Sequence, residues 1–105
     1  MENSRGERME KMMVIIYNTA LEKNILDYID SCHITCYTKL PKVYGRGESG
    51  GPRMGTHVWP GENEMLWVVT EKEKIQSLLE CAKKLKEEHG GKGVKVFVLP
   101  VEEKV

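Results

Sequence analysis

Met12-Met13-Val14-Ile15-Ile16-Tyr17 is a short, continuous run of apolar residues that anchors the predicted fold. It is rich in β-branched side chains and too short for a helix, which predicts a strand buried on both faces. Thr19-Ala20-Leu21-Glu22 follows with the spacing of a capping box, so a helix is expected to begin there and to end near Ser31. The apolar positions of this helix fall on one face: Leu21, Ile25, Leu26 and Ile29.

Strand and helix patterns alternate through the rest of the chain. Residues 34–40 alternate as in a half-buried strand, and Pro41 marks an edge, a bulge or the end of that strand. A second buried strand, Met65-Leu66-Trp67-Val68-Val69, leads into a second capping box, Thr70-Glu71-Lys72-Glu73. The helix that follows and the last strand, residues 94–99, complete the pattern. The apolar positions of this second helix are Ile75, Leu78, Leu79, Ala82 and Leu85.

This order of elements predicts an α+β fold of the ferredoxin-like βαββαβ type, with a four-stranded antiparallel sheet and both helices on one face. Residues 1–11 are expected to be a disordered leader and residues 12–105 a single domain. The other face of the sheet has no helix to cover it, although the first and third strands are apolar on both sides. Association of several copies of the chain is therefore expected to cover that face.

Composition excludes several classes of protein. The 105 residues carry 16 basic and 16 acidic side chains, so there is no electrostatic drive toward nucleic acid. No apolar run approaches the roughly 20 residues that cross a bilayer, and the polar N-terminus is unlike a signal peptide. Three cysteines are too few for a disulfide framework, which favours the reducing cytoplasm as the location.

Two glycine-rich segments also carry positive charge. Residues 45–53 lie among Lys39, Lys42, Arg46 and Arg53, which gives residues 38–55 a net charge of +3. Gly90-Gly91-Lys92-Gly93-Val94-Lys95 adds two lysines and no acid. Converging backbone amides beside cations suit an anionic ligand such as a phosphate. Ordinary turns and a helix C-cap explain the same glycines without any ligand, so both interpretations stay open at this point.

Candidate metal and catalytic groups are sparse. Cys32, His33 and Cys36 suggest a metal site, but a strand over residues 34–40 would separate positions 32 and 36 by about 13 Å, too far for one ion. Met54 and His57 could contact a soft cation, although two ligands do not make a site. No serine or cysteine nucleophile stands in a recognisable catalytic arrangement, so the chain is not expected to be an enzyme.

The element order and the two glycine–lysine segments resemble the PII signalling superfamily, in particular its smaller PII-like members, over residues 12–101. The motifs that carry the resemblance are Tyr37-Thr38-Lys39-Leu40, Gly45-Arg46-Gly47, Gly55-Thr56-His57-Val58-Trp59-Pro60-Gly61-Glu62-Asn63 and Gly90-Gly91-Lys92-Gly93-Val94-Lys95-Val96-Phe97-Val98. This resemblance implies a homotrimer that binds small ligands in clefts between subunits. Residues 45–62 then correspond to the T-loop, the effector arm of the family, and residues 89–94 to its B-loop.

The resemblance also implies a ligand and a set of residues that bind it. The ligand is a small anionic effector, most simply an adenine nucleotide such as ATP, ADP or AMP, and a partner such as a membrane transporter would be regulated through the T-loop. The implied binding residues are Thr38, Lys39, Gly45, Arg46, Gly47, Gly90, Gly91, Lys92, Gly93 and Lys95.

The chain departs from the usual family pattern in four respects. The B-loop aspartate is absent, and acids replace the arginines after the fourth strand. The segment that corresponds to the T-loop is short, and no tyrosine between Arg46 and Asn63 could accept uridylylation. Two other functions remain open at this stage. One is a divalent-metal trimer similar to the CutA family, which shares the fold, and the other is a protein-interaction module without a small-molecule ligand.

Overall fold

The described residues form four strands and two helices in the order strand, helix, strand, strand, helix, strand. The structure is a computed structural model that describes residues 9–45 and 62–105. A short 3-10 turn, Thr19–Leu21, connects the first strand to the first helix. The elements are β1 (Glu10–Asn18), α1 (Glu22–Ser31), β2 (Thr38–Val43), β3 (Asn63–Glu71), α2 (Lys72–Glu88) and β4 (Val94–Pro100).

The sheet has the strand order β2-β3-β1-β4, and every neighbouring pair is antiparallel. Strand β1 therefore lies in the middle with β3 and β4 on either side, while β2 and β4 form the two edges. Each helix connects two strands that are not consecutive in the sheet, and both helices cover the same face. The predicted ferredoxin-like fold is confirmed.

The core lies between the helices and one face of the sheet. Strands β1 and β3 supply the fully buried Met13, Ile15 and Leu66, and α1 packs Ile25 and Ile29 against them. On the predicted apolar face of α2, Leu79 is half-buried and the other four residues are buried: Ile75, Leu78, Ala82 and Leu85. No helix among residues 9–45 and 62–105 is long and apolar enough to cross a membrane.

Strand β2 differs from its predicted position. It begins at Thr38, four residues later than expected, and it continues beyond Pro41 to Val43. Ile34 is buried from the connecting loop, with its amide donating to the Ile29 carbonyl at 3.1 Å. The alternation of residue types in the sequence does not correspond to alternating burial, because Ile34 is buried and residues 35–39 are all exposed. The expectation of an edge or bulge at Pro41 is confirmed, because β2 is an edge strand and its register shifts between Leu40 and Val43.

Both helix starts differ from the predicted capping boxes. The N-cap before the 3-10 turn is Asn18, whose Oδ1 accepts the Ala20 amide at 2.9 Å, rather than Thr19. At α2 the capping position is Glu71, without a side-chain cap, because Thr70 is still paired with Lys11 in the sheet. The predicted helices are present, but Asn18 caps the 3-10 turn before α1, and neither α1 nor α2 has a side-chain cap.

The face of the sheet opposite the helices is apolar and open, as the strand patterns predicted. Cross-strand pairing places Trp67, Val14 and Phe97 in one row, and Val69, Met12 and Leu99 in another. Trp67 is 42% exposed and Phe97 is 51% exposed, although both are large and apolar. We call this surface the open sheet face, and its apolar members are Met12, Val14, Ile16, Met65, Trp67, Val69, Phe97 and Leu99.

Candidate functional site

The boundaries of the two glycine-rich segments lie at one end of the sheet, where strands begin and end. We call this end of the sheet the loop edge. Strand β1 ends there at Asn18, opposite Asn63 at the start of β3, and Tyr17 lies opposite Val94 at the start of β4. Strand β2 also ends there, since Val43 pairs with Asn63. The antiparallel topology therefore brings the boundaries of residues 45–62 and 89–94 to the same side of the molecule.

The end of β1 connects these two segments through its backbone. The Asn18 amide donates to the Gly93 carbonyl at 3.0 Å, and the Thr19 amide donates to the Glu62 carbonyl at 2.8 Å. Asn18 is only 3% exposed, and its Nδ2 has no hydrogen-bond partner. We did not single out Asn18 from the sequence, although asparagine between an apolar run and a helix is a known N-cap signal.

The second glycine segment is a helix C-cap followed by a turn. Gly90, Gly91 and Gly93 all have positive φ, at 68°, 79° and 85°. The Gly91 amide donates to the Lys86 carbonyl at 2.8 Å, which closes the end of α2. A Cβ built at Gly90 or Gly91 would meet nothing within 4 Å. Glycine is therefore needed there for its backbone conformation, and any argument for a ligand must rest on the neighbouring cations.

The lysines of this segment are exposed. Among the salt bridges between described side chains, none involves Lys92 or Lys95. Lys92 lies in the turn itself, and Lys95 lies at the loop end of the open sheet face, opposite Ile16. The loop edge therefore carries two cations whose charge is available to an anion.

The first glycine segment is only partly described. Gly45 is exposed two residues after β2 ends, whereas Arg46 and Gly47 lie outside the described residues. Thr38 is exposed on β2, directly opposite Trp67 on the open sheet face. Gly45 follows β2 and Gly93 precedes β4, and these are the two outer strands. Three strand spacings, about 14 Å in total, separate these two strands, so Gly45 and Gly93 of one chain lie far apart.

Lys39 lies on the helix side of the sheet, within a group of acids. Its Nζ is 2.6 Å from Oε2 of Glu22 and 3.4 Å from Oε2 of Glu64. The hydrogen bond to Glu22 is the main reason that the pKa of Lys39 is raised. Lys39 therefore already pairs with two carboxylates, unlike Lys92 and Lys95, and the structure does not bring it together with them.

Tyr17 is a buried neighbour of this group of charged side chains, and it makes the stability of the protein depend on pH. Its hydroxyl donates to Oε1 of Glu64 at 2.9 Å, and burial followed by Glu64 raises the pKa of Tyr17. Above about pH 10 an unfolded chain loses this proton while the folded chain keeps it. We therefore expect the free energy of unfolding to fall above pH 10, by up to about 1.4 kcal/mol per pH unit from this group.

The comparison that checks this expectation is denaturant unfolding of the original protein and of Tyr17→Phe between pH 9 and 11.5, at one protein concentration. Tyr17→Phe should show a shallower loss of stability, because other titrating groups, including Lys39, contribute equally to both proteins. Parallel curves would contradict the expectation.

A metal centre gains no support from the described part of the chain. No three His, Cys, Asp or Glu side chains within it are placed to hold an ion. Cys36 lies in the loop before β2 rather than in a strand, so the predicted strand spacing between positions 32 and 36 was wrong. Met54 and His57 lie outside the described residues.

Comparisons with known proteins agree with this architecture. Residues 10–105 match the sequence model of the family described as nitrogen regulatory protein P-II. No curated protein shows significant similarity to the chain. The structure of CPII from Thiomonas intermedia, bound to ADP, AMP and acetate, is 20% identical with a TM-score of 0.72, and the match covers 91% of this chain and 89% of that one.

Two other solved structures have similar folds. A protein described as a PII-like signalling protein from Thermus thermophilus is 26% identical with a TM-score of 0.57, over 88% of this chain and 86% of that one. A protein of the duf3240 family from Shewanella baltica is 12% identical with a TM-score of 0.65, over 92% of this chain and 94% of that one. At such low identities these likenesses establish the fold.

Proposed function

The chain belongs to the nitrogen regulatory protein P-II family, and we propose that it is a cytoplasmic, homotrimeric regulator that binds an adenine nucleotide at the loop edge. It acts by binding rather than by catalysis. The observation that carries this proposal is the position of Lys92 and Lys95, exposed and without a salt bridge among described side chains, around the Gly90–Gly93 turn. Such cations can bind phosphate groups through charge-assisted hydrogen bonds.

The open sheet face supports the trimer. A contiguous apolar surface that includes the exposed Trp67 and Phe97 is costly in water, and a second and third copy of the same chain offer complementary apolar surface. Because Gly45 follows one outer strand and Gly93 precedes the other, a ligand that contacts both segments takes one segment from each of two neighbouring subunits. Each cleft of the trimer therefore holds one nucleotide.

The proposed binding residues divide by role. Lys92 and Lys95 contact the phosphates from one subunit, while Arg46, with Gly45 and Gly47, contacts the nucleotide from its neighbour. Gly90, Gly91 and Gly93 shape the turn that presents Lys92. Thr38 lies at the start of β2, opposite Trp67 on the open sheet face, and contributes from that face. Lys39 contributes through the conformation of β2, since its Nζ is already paired with Glu22 and Glu64.

Regulation follows from the position of the ligand beside residues 45–62. A nucleotide that binds one conformation of this segment better than another shifts the segment toward that conformation, by an amount equal to the difference in affinity. The segment then binds or releases a partner protein, for which a membrane transporter is the simplest candidate.

Isothermal titration of the full chain with ATP, ADP, AMP and cyclic AMP, each with and without magnesium, tests the proposal. Bicarbonate belongs in the same series, because CPII has been solved with ADP and bicarbonate. We expect saturable binding of at least one adenine nucleotide, at one molecule per subunit, and weaker binding of the matching guanine nucleotide. Absence of binding by every adenine nucleotide would refute the proposed effector.

A further inference from the structure

The most exposed aromatic side chain in the described part of the chain lies at the loop edge. Tyr44 is 85% exposed, far more than Trp67 or Phe97 on the open sheet face. It stands between Val43, the last residue of β2, and Gly45. Covering an aromatic ring that is held in water gains free energy, so this side chain favours a partner that packs against it. The function proposed above gives Tyr44 no role.

The backbone before Tyr44 is anchored and irregular. Val43 pairs with Asn63, the first residue of β3, so Tyr44 directly follows a residue that is held in the sheet. The register of β2 shifts between Leu40 and Val43, and Lys42 within this irregularity has a φ of 54°. Residues other than glycine adopt that conformation uncommonly, and they do so mostly where the surrounding structure enforces it. An irregularity of this kind bends its strand and is often found beside a binding site.

The surroundings of Tyr44 are open and nearly neutral. A Cβ built at the adjacent Gly45 would meet nothing within 4 Å, so this part of the chain is not crowded. Two charged side chains at the same corner of the sheet offset each other, since Nζ of Lys42 is 3.8 Å from Oε2 of Glu62. The aromatic ring, rather than a charge, is therefore the feature that a ligand can recognise at the end of β2.

A purine base is the part of a nucleotide that suits such a ring. Stacking needs a flat ring that is exposed on one face, and it contributes to affinity without any charge. In each cleft of the trimer proposed above, the end of β2 in one subunit meets the Gly90–Gly93 turn of its neighbour. Lys92 and Lys95 of that neighbour bind the phosphates, which leaves the base to the first subunit.

We propose that Tyr44 stacks on the adenine base of the bound nucleotide, from the subunit opposite the one whose lysines bind the phosphates. This inference rests on the proposed nucleotide site and adds the residue that binds the base. The ring supplies the contact, and the phenolic hydroxyl is not required for it. Phenylalanine should therefore replace Tyr44 without loss of affinity, whereas a side chain without a ring should not.

The test compares the original full chain with Tyr44→Ala and Tyr44→Phe by isothermal titration. One ligand is the adenine nucleotide that the original protein binds best, and the other is inorganic pyrophosphate, which has no base. Tyr44→Ala should bind the nucleotide about 10-fold or more weakly, because it loses one stacked base, and Tyr44→Phe should bind it normally. The affinity for pyrophosphate should be the same in all three proteins, since the lysines that bind it are unchanged.

Tyr37→Ala is the matched control, because Tyr37 is also an exposed tyrosine but precedes β2 instead of following it, and its loss should leave nucleotide binding unchanged. Light scattering should give Tyr44→Ala the mass of the original protein, and a smaller mass would make Tyr44 an assembly contact and overturn the inference.

The titrations also distinguish failure of this inference from failure of the proposed function. Equal nucleotide affinity of Tyr44→Ala and the original protein would overturn the stacking role of Tyr44 and leave the nucleotide site intact. A parallel loss of affinity for pyrophosphate would overturn the assignment of Tyr44 to the base. An original protein that binds no adenine nucleotide would refute the proposed effector and this inference together.

Discussion

Replacing Phe97 by glutamate should convert the trimer into folded monomers. Phe97 is 51% exposed in the single chain and lies on the open sheet face beside Val14, so the substitution leaves the core between helices and sheet intact. In a trimer that buries this face, the change places three carboxylates in an apolar interface. Desolvation costs several kcal/mol for each charge without a partner, which exceeds what such an interface can tolerate.

Light scattering distinguishes the two assemblies directly, because the chain mass is 12.0 kDa and a trimer has about three times that mass. Asn24→Glu is the matched control, since it introduces a carboxylate on the exposed surface of α1 and should leave the trimer unchanged. Circular dichroism should show that Phe97→Glu retains its helices. A Phe97→Glu protein of unchanged trimeric mass, or an original protein of 12.0 kDa in solution, would contradict the assembly.

The fold was predictable because its strongest sequence patterns are local and do not depend on contacts between residues far apart in the chain. The apolar run at residues 12–17 is too short for a helix and too apolar for a surface strand, and the periodicity of Ile75, Leu78 and Leu85 allows only a helix with one buried face. Once the order of elements was known, the handedness of the crossovers restricted the topology to the observed one. The open sheet face followed from the same apolar patterns.

Local boundaries were less predictable because residues compete for the same backbone groups. Thr19 and Asn18 could both cap the first helix, and the asparagine succeeds because the chain leaves β1 one residue earlier than the capping box requires. Ile34 has the burial expected of a strand residue, yet its amide bonds to the end of α1 rather than to a neighbouring strand. The alternating pattern of residues 34–40 identified neither the amides that form the ladder nor the buried side chains beyond Ile34, since Cys36 and Thr38 are exposed.

The arrangement of the candidate site was also only partly predictable from the sequence. The resemblance to PII-like proteins placed Lys39 and Lys92 in one set of implied binding residues. The structure separates them, since Lys39 belongs to the helix side of β2, where Glu22 and Glu64 approach from distant positions. Which residues far apart in the chain form a pair depends on the register of the strands. That register cannot be read from the spacing of residues along the sequence. The positive φ of Gly90 and Gly91 was foreseeable from the end of the preceding helix.

Replacing Lys92 and Lys95 together by alanine should weaken adenine nucleotide binding by at least about 100-fold. A charge-assisted hydrogen bond contributes about 1.5–3 kcal/mol, and two such bonds correspond to two or more factors of ten in the dissociation constant. The loss should leave stability and assembly unchanged, because both side chains are exposed and neither forms a salt bridge with a described side chain. Isothermal titration with the nucleotide that binds the original protein best gives the measurement.

Two single-lysine variants distinguish the effect of losing charge at the site from the effect of losing charge elsewhere in the molecule. Lys72→Ala removes one positive charge at the start of α2, at the opposite end of the sheet, and should bind nucleotide normally. Lys39→Ala breaks the pairs with Glu22 and Glu64, so it should lower stability more than affinity. If the double substitution left affinity unchanged while Lys39→Ala reduced it at constant stability, phosphate binding would belong to β2. The turn at Gly90–Gly93 would then be a helix cap alone.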